Sequence, residues 1–298
     1  MAGQGTLIAA LDYNNIQSKL ATVLGVGSGD FGYGQTVTSS QVSVNNKISV
    51  SQWSTLRDEL IKCLQHQSGL DETGTLIIPT ASTKITEADR ANYMTKADLI
   101  TTNRLAIPPA GQATLENLFA PAVRTTAWNG TVTHSITVTF PSANACRAYF
   151  NTGSSFRFSA SRSGGNAGVK NASWTTILTN MGTINFGRST TTATGNQAGS
   201  AIGYASITTS NQLIFSKATE TPTYSGNLYR IFVRGNAASG SNSQIIFTIE
   251  FVDGSGQPNP PWGTDENVDG TLTSTVQVYR ASGVNVSVPL PPATSSGP

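Results

Sequence analysis

The run TVTHSITVTF at residues 131–140 alternates between apolar and hydroxylated side chains with almost no break. Val132, His134, Ile136, Val138 and Phe140 share one parity, and Thr and Ser hold the other. Successive side chains of an extended strand point to opposite faces, so this pattern fits a half-buried strand and not a helix. The same signal returns in QLIFSKA, NLYRIFVRG, SQIIFTIEFVDG, STVQVYRAS and VNVSVPL, with Gly, Asn, Ser and Pro between the runs. Repeated short strands separated by turn residues predict an antiparallel β-sandwich over residues 122–288. NASWTTILTNMG (171–182) breaks the alternation and predicts one short helix within that domain.

The first third has a different period. Leu11, Ile16, Leu20, Val23 and Leu24 recur at helical spacing, with Asp12 early and Gly25 as the stop. Ser51 is the expected N-cap of a second helix, whose apolar face is Trp53, Leu56, Leu60, Ile61 and Leu64 and which ends at Ser68-Gly69. A third begins near Thr86, with Glu87 and Asp89 in its first turn. The predicted class is therefore α+β, mainly β. A helical, loop-rich docking region spans 1–107, a Pro-containing linker 108–121, the β-sandwich 122–288 and an extended tail 289–298.

Charged residues make up only 11% of the 298-residue chain, while Gly, Ser, Thr and Asn abound. Strands favour Thr and turns favour Gly, Asn and Ser, so this composition fits an all-β surface protein or a subunit of a large assembly. The formal net charge of +2 gives no footprint for nucleic acid. Residues 1–121 hold 8 Lys+Arg against 10 Asp+Glu, and residues 122–298 hold 10 against 6, so the second part is mildly basic. Cys63 and Cys146 lack metal-ligand or CxxC spacing and are expected as buried thiols. No apolar run reaches transmembrane length, and AGQGTLIAAL after Met1 lacks a basic leader. The chain is expected to be made and kept in a cytoplasm, which leaves the sequons at Asn129, Asn171 and Asn285 without consequence.

Chemistry-bearing residues are sparse. His66 and His134, the two histidines, sit at a helix end and in mid-strand, and both read as structural. Gly27-x-Gly29-x-x-Gly32 matches a dinucleotide fingerprint in letters only. It follows a helix, where a pyrophosphate site needs a strand before it and a helix after it. Asp71 and Glu72 form one acidic pair; Asp265, Glu266 and Asp269 form a second cluster without the spacing of a calcium loop. No catalytic residue, metal ligand or cofactor is assigned. ACRAYFNTGSSFRFSASRSGG (145–165) interleaves arginines with aromatics. It reads as a strand pair turning at Thr152-Gly153-Ser154, with half of the aromatics in the core and the arginines, with Tyr149 on the parity of Arg147, on a solvated or contact face. Arg147, Tyr149, Arg157, Arg162 and Trp262 are the candidate interface residues.

Four segments carry a resemblance. YNNIQSKLATVLGVGSGDFGYGQ (13–35), QWSTLRDELIKCLQHQSG (52–69), RAYFNTGSSFRFSASRSGG (147–165) and DENVDGTLTSTVQVYRASG (265–283) resemble segments of virion structural proteins of tailed bacteriophages, most like those of contractile-tailed phages of cyanobacteria. The resemblance implies a non-enzymatic homo-oligomer of the tail, neck or appendages, assembled in the host cytoplasm and located in the virion. Its partners would be copies of itself and other virion proteins, with no nucleic acid or membrane. Two alternatives are a capsid decoration protein and a receptor-recognition module gripping host glycan through Trp128, Trp174 or Trp262.

Overall fold

A computed structural model describes residues 9–82, 84–254 and 267–298. The chain forms two compact units that interleave in sequence. The first comprises Met1–Thr114, Arg147–Ser154 and Arg280–Pro289; the second comprises Leu115–Cys146, Ser155–Tyr279 and Leu290–Pro298. A simple order of docking region, linker, sandwich and tail is therefore too linear, because two later segments return to the first unit.

The first unit is built on α1 (Ala10–Leu24), α2 (Val50–Ser68) and α3 (Glu87–Thr102). Their stripes meet in one core, where Trp53 stands edge-on to Tyr13 at 5.2 Å and to Tyr93 at 4.9 Å. Ser49, not Ser51, caps α2: its hydroxyl accepts from Gln52 N while Gln52 Oε1 accepts from Ser49 N. A glutamine three residues beyond the serine is the reciprocal capping box, and that partner selects Ser49. Gly69 ends α2 at φ 72°, and Thr86 caps α3 with Asp89 as its reciprocal partner. Glu59, buried on α2, accepts from Thr38 N at 2.5 Å and Thr38 Oγ1 at 2.8 Å, pinning the extended segment beside it. Val286 joins this core as well. VNVSVPL (284–290) consequently does not continue the sandwich as a strand; it makes only an isolated bridge, Ser282 with Ser287.

The second unit is the expected antiparallel sandwich. Its strands are β1 (Ala113–Asn117), β2 (Ala122–Arg124), β3 (Gly130–Thr139), β4 (Ser155–Ser163), β5 (Ile184–Phe186), β6 (Thr191–Ala193), β7 (Gln212–Ala218), β8 (Leu228–Gly235), β9 (Gln244–Asp253), β10 (Thr271–Ala281) and β11 (Ala293–Ser296). One sheet runs β1-β10-β4-β5-β6, with β2 also on β10; the other runs β11-β3-β9-β8-β7. The expected linker thus contains β1, and the expected extended tail supplies β11, paired antiparallel to β3. Phe247 of β9 holds the two sheets together, with Phe158 at 4.9 Å, Phe186 at 5.2 Å and Phe156 at 5.4 Å across the gap.

Among the described residues, two α-helices lie between the strands, α4 (Ala143–Asn151) and α5 (Val169–Met181). The second occupies the predicted stretch. The first replaces half of the expected strand pair: residues 147–151 are helical, and only Ser155–Ser163 form a strand. Asn144, Arg147 and Asn151 share one face of α4 at helical spacing, so a helical period was present in the sequence, although every residue from Cys146 to Asn151 is buried. Ser142 does mark its start, accepting from Ala145 N at 3.1 Å.

Truncating Phe247 removes the ring on which three others converge. We expect Phe247→Ala to lower unfolding free energy by about 3–5 kcal/mol, read from the midpoint of urea denaturation.

Candidate functional site

The inward parities of two strands and a helix place four polar groups at one point in the second unit. In β9, Ile245, Phe247, Ile249 and Phe251 face inward, and the same alternation carries Asp253 inward at the strand's end. In β8, Tyr229, Ile231 and Val233 face inward, and Asn227, just before the strand, has the same parity. On α5, Trp174, Ile177 and Met181 follow Lys170 by four, seven and eleven residues, so Lys170 lies on the apolar stripe.

Lys170 Nζ stands 2.6 Å from Asp253 Oδ2, and both side chains are fully excluded from solvent. In the amide orientation that satisfies its neighbours, Asn227 donates to Asp253 Oδ1 at 2.8 Å and accepts from Trp174 Nε1 at 3.1 Å. Aromatic rings pack around it: Trp174 meets Trp128 at 5.8 Å and Phe251 at 6.3 Å, and Tyr229 meets Phe251 at 5.3 Å. A charge in such a place loses its hydration, and the mutual contact has to replace it. Sequence reasoning missed this cluster although its signal was present. A carboxylate on the inward parity of a strand and a lysine on the apolar stripe of a helix each require a partner.

The interface candidates do not form one exposed face. Arg147 is buried, and its Nη2 donates to the carbonyls of Val26 and Gly27, each at 2.9 Å. Tyr149 is buried on the same helix. Arg162 is also buried, donating to the Asp269 carbonyl at 2.6 Å and the Asp269 carboxylate at 3.2 Å. Arg157 alone follows the expected outward parity, half-buried on β4 between Gln277 of β10 and Asn185 of β5. Trp262 lies outside the described residues, as do Asp265 and Glu266. Asp269, the third acid of that cluster, is committed to a turn, accepting from Asn166 N at 3.1 Å and from Asn171 Nδ2 as well as Arg162. Asp71 likewise closes a turn onto Thr73 N.

The glycine-rich loop has a polarity opposite to that of a phosphate cradle. A Cβ on Gly32 would lie 2.0 Å from the Val26 carbonyl oxygen, and Gly32 has φ 98°, so the loop closes tightly on itself. Asn151 Nδ2 donates to the carbonyls of Phe31 at 2.8 Å and Gly32 at 3.3 Å. Together with the two bonds from Arg147, this leaves oxygens, not N–H groups, turned toward the side chains that hold the loop. Among the described residues, no group of three or more His, Cys, Asp and Glu could hold a metal ion, and no helix is long and apolar enough to cross a membrane.

Both histidines are buried joints. His66 Nε2 donates to the Thr152 carbonyl at 3.2 Å, and Tyr33 stands edge-on to the ring at 5.1 Å. His134 Nδ1 meets Ser274 Oγ at 2.9 Å, linking β3 to β10, with Phe119 edge-on at 5.8 Å. Burial pushes both imidazoles down to about 4, the Thr152 bond partly opposing this at His66. Burial raises the thiol of Cys146 to about 12 and raises that of Cys63 as well, so both cysteines remain protonated. Trp128 and Trp174, the candidate sugar platforms, are buried and cannot stack on a glycan.

No family model, curated protein or solved structure matches this chain.

Two outcomes follow from the burial of these groups. Lys170→Met leaves the Asp253 carboxylate in an apolar site without its cation and should cost at least about 3 kcal/mol in equilibrium unfolding. The unfolded chain takes up protons on His66 and His134 near 6.5, and the folded chain only near 4. Their contribution is therefore complete above pH 6.5 and is lost as pH falls toward 4, by up to about 3 kcal/mol per histidine. Thermal melts across that window should show it, and His134→Gln should flatten the dependence.

Proposed function

We propose that this chain is a non-enzymatic virion structural protein of a tailed bacteriophage, a homo-oligomer of the tail, the neck or collar, or attached appendages. The observation that carries the reading is the uneven distribution of exposed apolar side chains. Fourteen large ones are exposed among the described residues; Leu115, Val123, Val169, Leu213 and Leu290 belong to the second unit, and the other nine belong to the first. Val284 is 98% exposed, Val44 77%, Ile107 68% and Ile78 64%.

A single exposed aliphatic residue is ordinary in any protein. Nine on one unit, in a chain whose charged residues are only 11% of the total, give that unit apolar points that burial against a neighbouring subunit would stabilise. The resemblance of four segments to phage virion proteins supports the same reading. The two histidines support it too, since each is buried and used as a packing joint, out of reach of any substrate.

Sedimentation velocity of the purified chain over a concentration series tests the proposal. Self-association is expected, and Ile78→Asp combined with Ile107→Asp should shift it toward monomer without moving the thermal unfolding midpoint. A chain that stays monomeric at every concentration overturns the homo-oligomer. Its absence from the protein content of purified virions of the phage that encodes it overturns the virion assignment.

A further inference from the structure

The contact between Lys170 and Asp253 has more in it than an ion pair requires. We propose that these two side chains condense to an intramolecular isopeptide bond, fixing α5 to the end of β9. Three features of the site point to this. The nucleophile already touches the carboxyl group it would attack, Nζ to Oδ2 at 2.6 Å, with both side chains wholly excluded from water. A hydrogen-bond donor is already placed on the other carboxyl oxygen, Asn227 Nδ2 to Oδ1 at 2.8 Å, and is itself held by Trp174 Nε1. Lys170 is the second residue of α5, at the positive end of the helix dipole, where an ammonium is disfavoured and a neutral amine is not.

In water an ammonium and a carboxylate do not condense, because hydration stabilises both charges. Burial removes that hydration and brings the neutral amine and acid within reach. A proton passes from Nζ to Oδ2 across the existing contact. The Nζ lone pair then adds to Cγ, and negative charge develops on Oδ1, where the Asn227 amide receives it. The Cγ–Oδ2 bond breaks, and the hydroxyl leaves as water with a second proton from Nζ. One C–N bond replaces one C–O bond, one water is released, and no oxidant or other reagent is consumed. Fixed partners of this kind react as if at an effective concentration of about 10⁵ M or more. The reaction is a single turnover that alters the protein itself, and it is independent of the assembly role proposed above.

Intact-mass measurement on the purified full chain tests the bond, followed by tandem mass spectrometry of a proteolytic digest. The expected result is a mass lower than the sequence by one water, together with a branched peptide joining the Lys170 segment to the Asp253 segment. Lys170→Arg should restore the full mass. Asp253 precedes Gly254, a pair that can also lose water by cyclising to a succinimide. That product would survive in Lys170→Arg and would give no branched peptide, so its detection as the sole dehydrated form overturns the proposal. An unmodified mass for the folded wild-type chain also overturns it. Loss of one ammonia together with a branched peptide joining the Lys170 and Asn227 segments would make Asn227 the acceptor, and it overturns the assignment to Asp253.

Discussion

A polar group taken out of water must find its partner inside the molecule, and most of this structure is arranged around that requirement. With few charges in the chain, those that are buried are conspicuous, and each is met by a specific neighbour. Glu59 accepts from Thr38 and Ser39, Arg57 donates to the Leu76 carbonyl, Arg162 is held by Asp269, and Lys170 by Asp253. An unpaired partner in any of these sites would cost several kcal/mol, comparable with a large share of a domain's net stability. These joints therefore fix which loop lies on which helix, while the aromatic contacts supply the bulk of the burial.

The same requirement explains why the chemically suggestive residues are not chemically available. His66 and His134 have imidazoles that burial holds neutral over the ordinary pH range, and each spends a ring nitrogen on a structural bond. The arginines that seemed to form a contact face with aromatics are drawn inward by backbone carbonyls. Arg147 and Arg162 each donate to carbonyl oxygens, a use of the guanidinium that a rim residue would not have. Among the described residues, nine large aliphatic side chains of the first unit face outward, beside charged ones such as Asp58, Glu87 and Asp98.

Legibility in the sequence varied with the type of signal. The alternation in 131–140 placed β3 with its inward residues correct, and the helical stripes with their glycine stops placed α1 and α2. Thr86 and Asp89 marked the start of α3. The turn between α4 and β4 was read, but the residues before it were assigned to a strand by the alternation of arginine and aromatic, although Asn144, Arg147 and Asn151 recur at helical spacing. VNVSVPL alternates like a strand, yet its Val286 is claimed by the core of the first unit. PPATSSGP has no alternation, yet Ala293–Ser296 lie beside β3 and complete an edge. Pattern detects one-sided burial; it does not see which core claims an alternating segment, nor pairing through backbone hydrogen bonds alone.

The sequence by itself determined the class, the two periods and most of the element boundaries, since each follows from interactions among residues a few positions apart. It also held, unread, the parity that turns Lys170, Asn227 and Asp253 toward one interior. Only the tertiary structure decided that these three meet, that 147–154 and 280–289 return to the helical unit, and that Arg147 closes on the glycine-rich loop. Those are pairings between residues tens to more than a hundred positions apart, and they give buried charges such as Arg147, Arg162 and Lys170 their partners. Such a choice is a property of the whole folded chain, and no local window contains it.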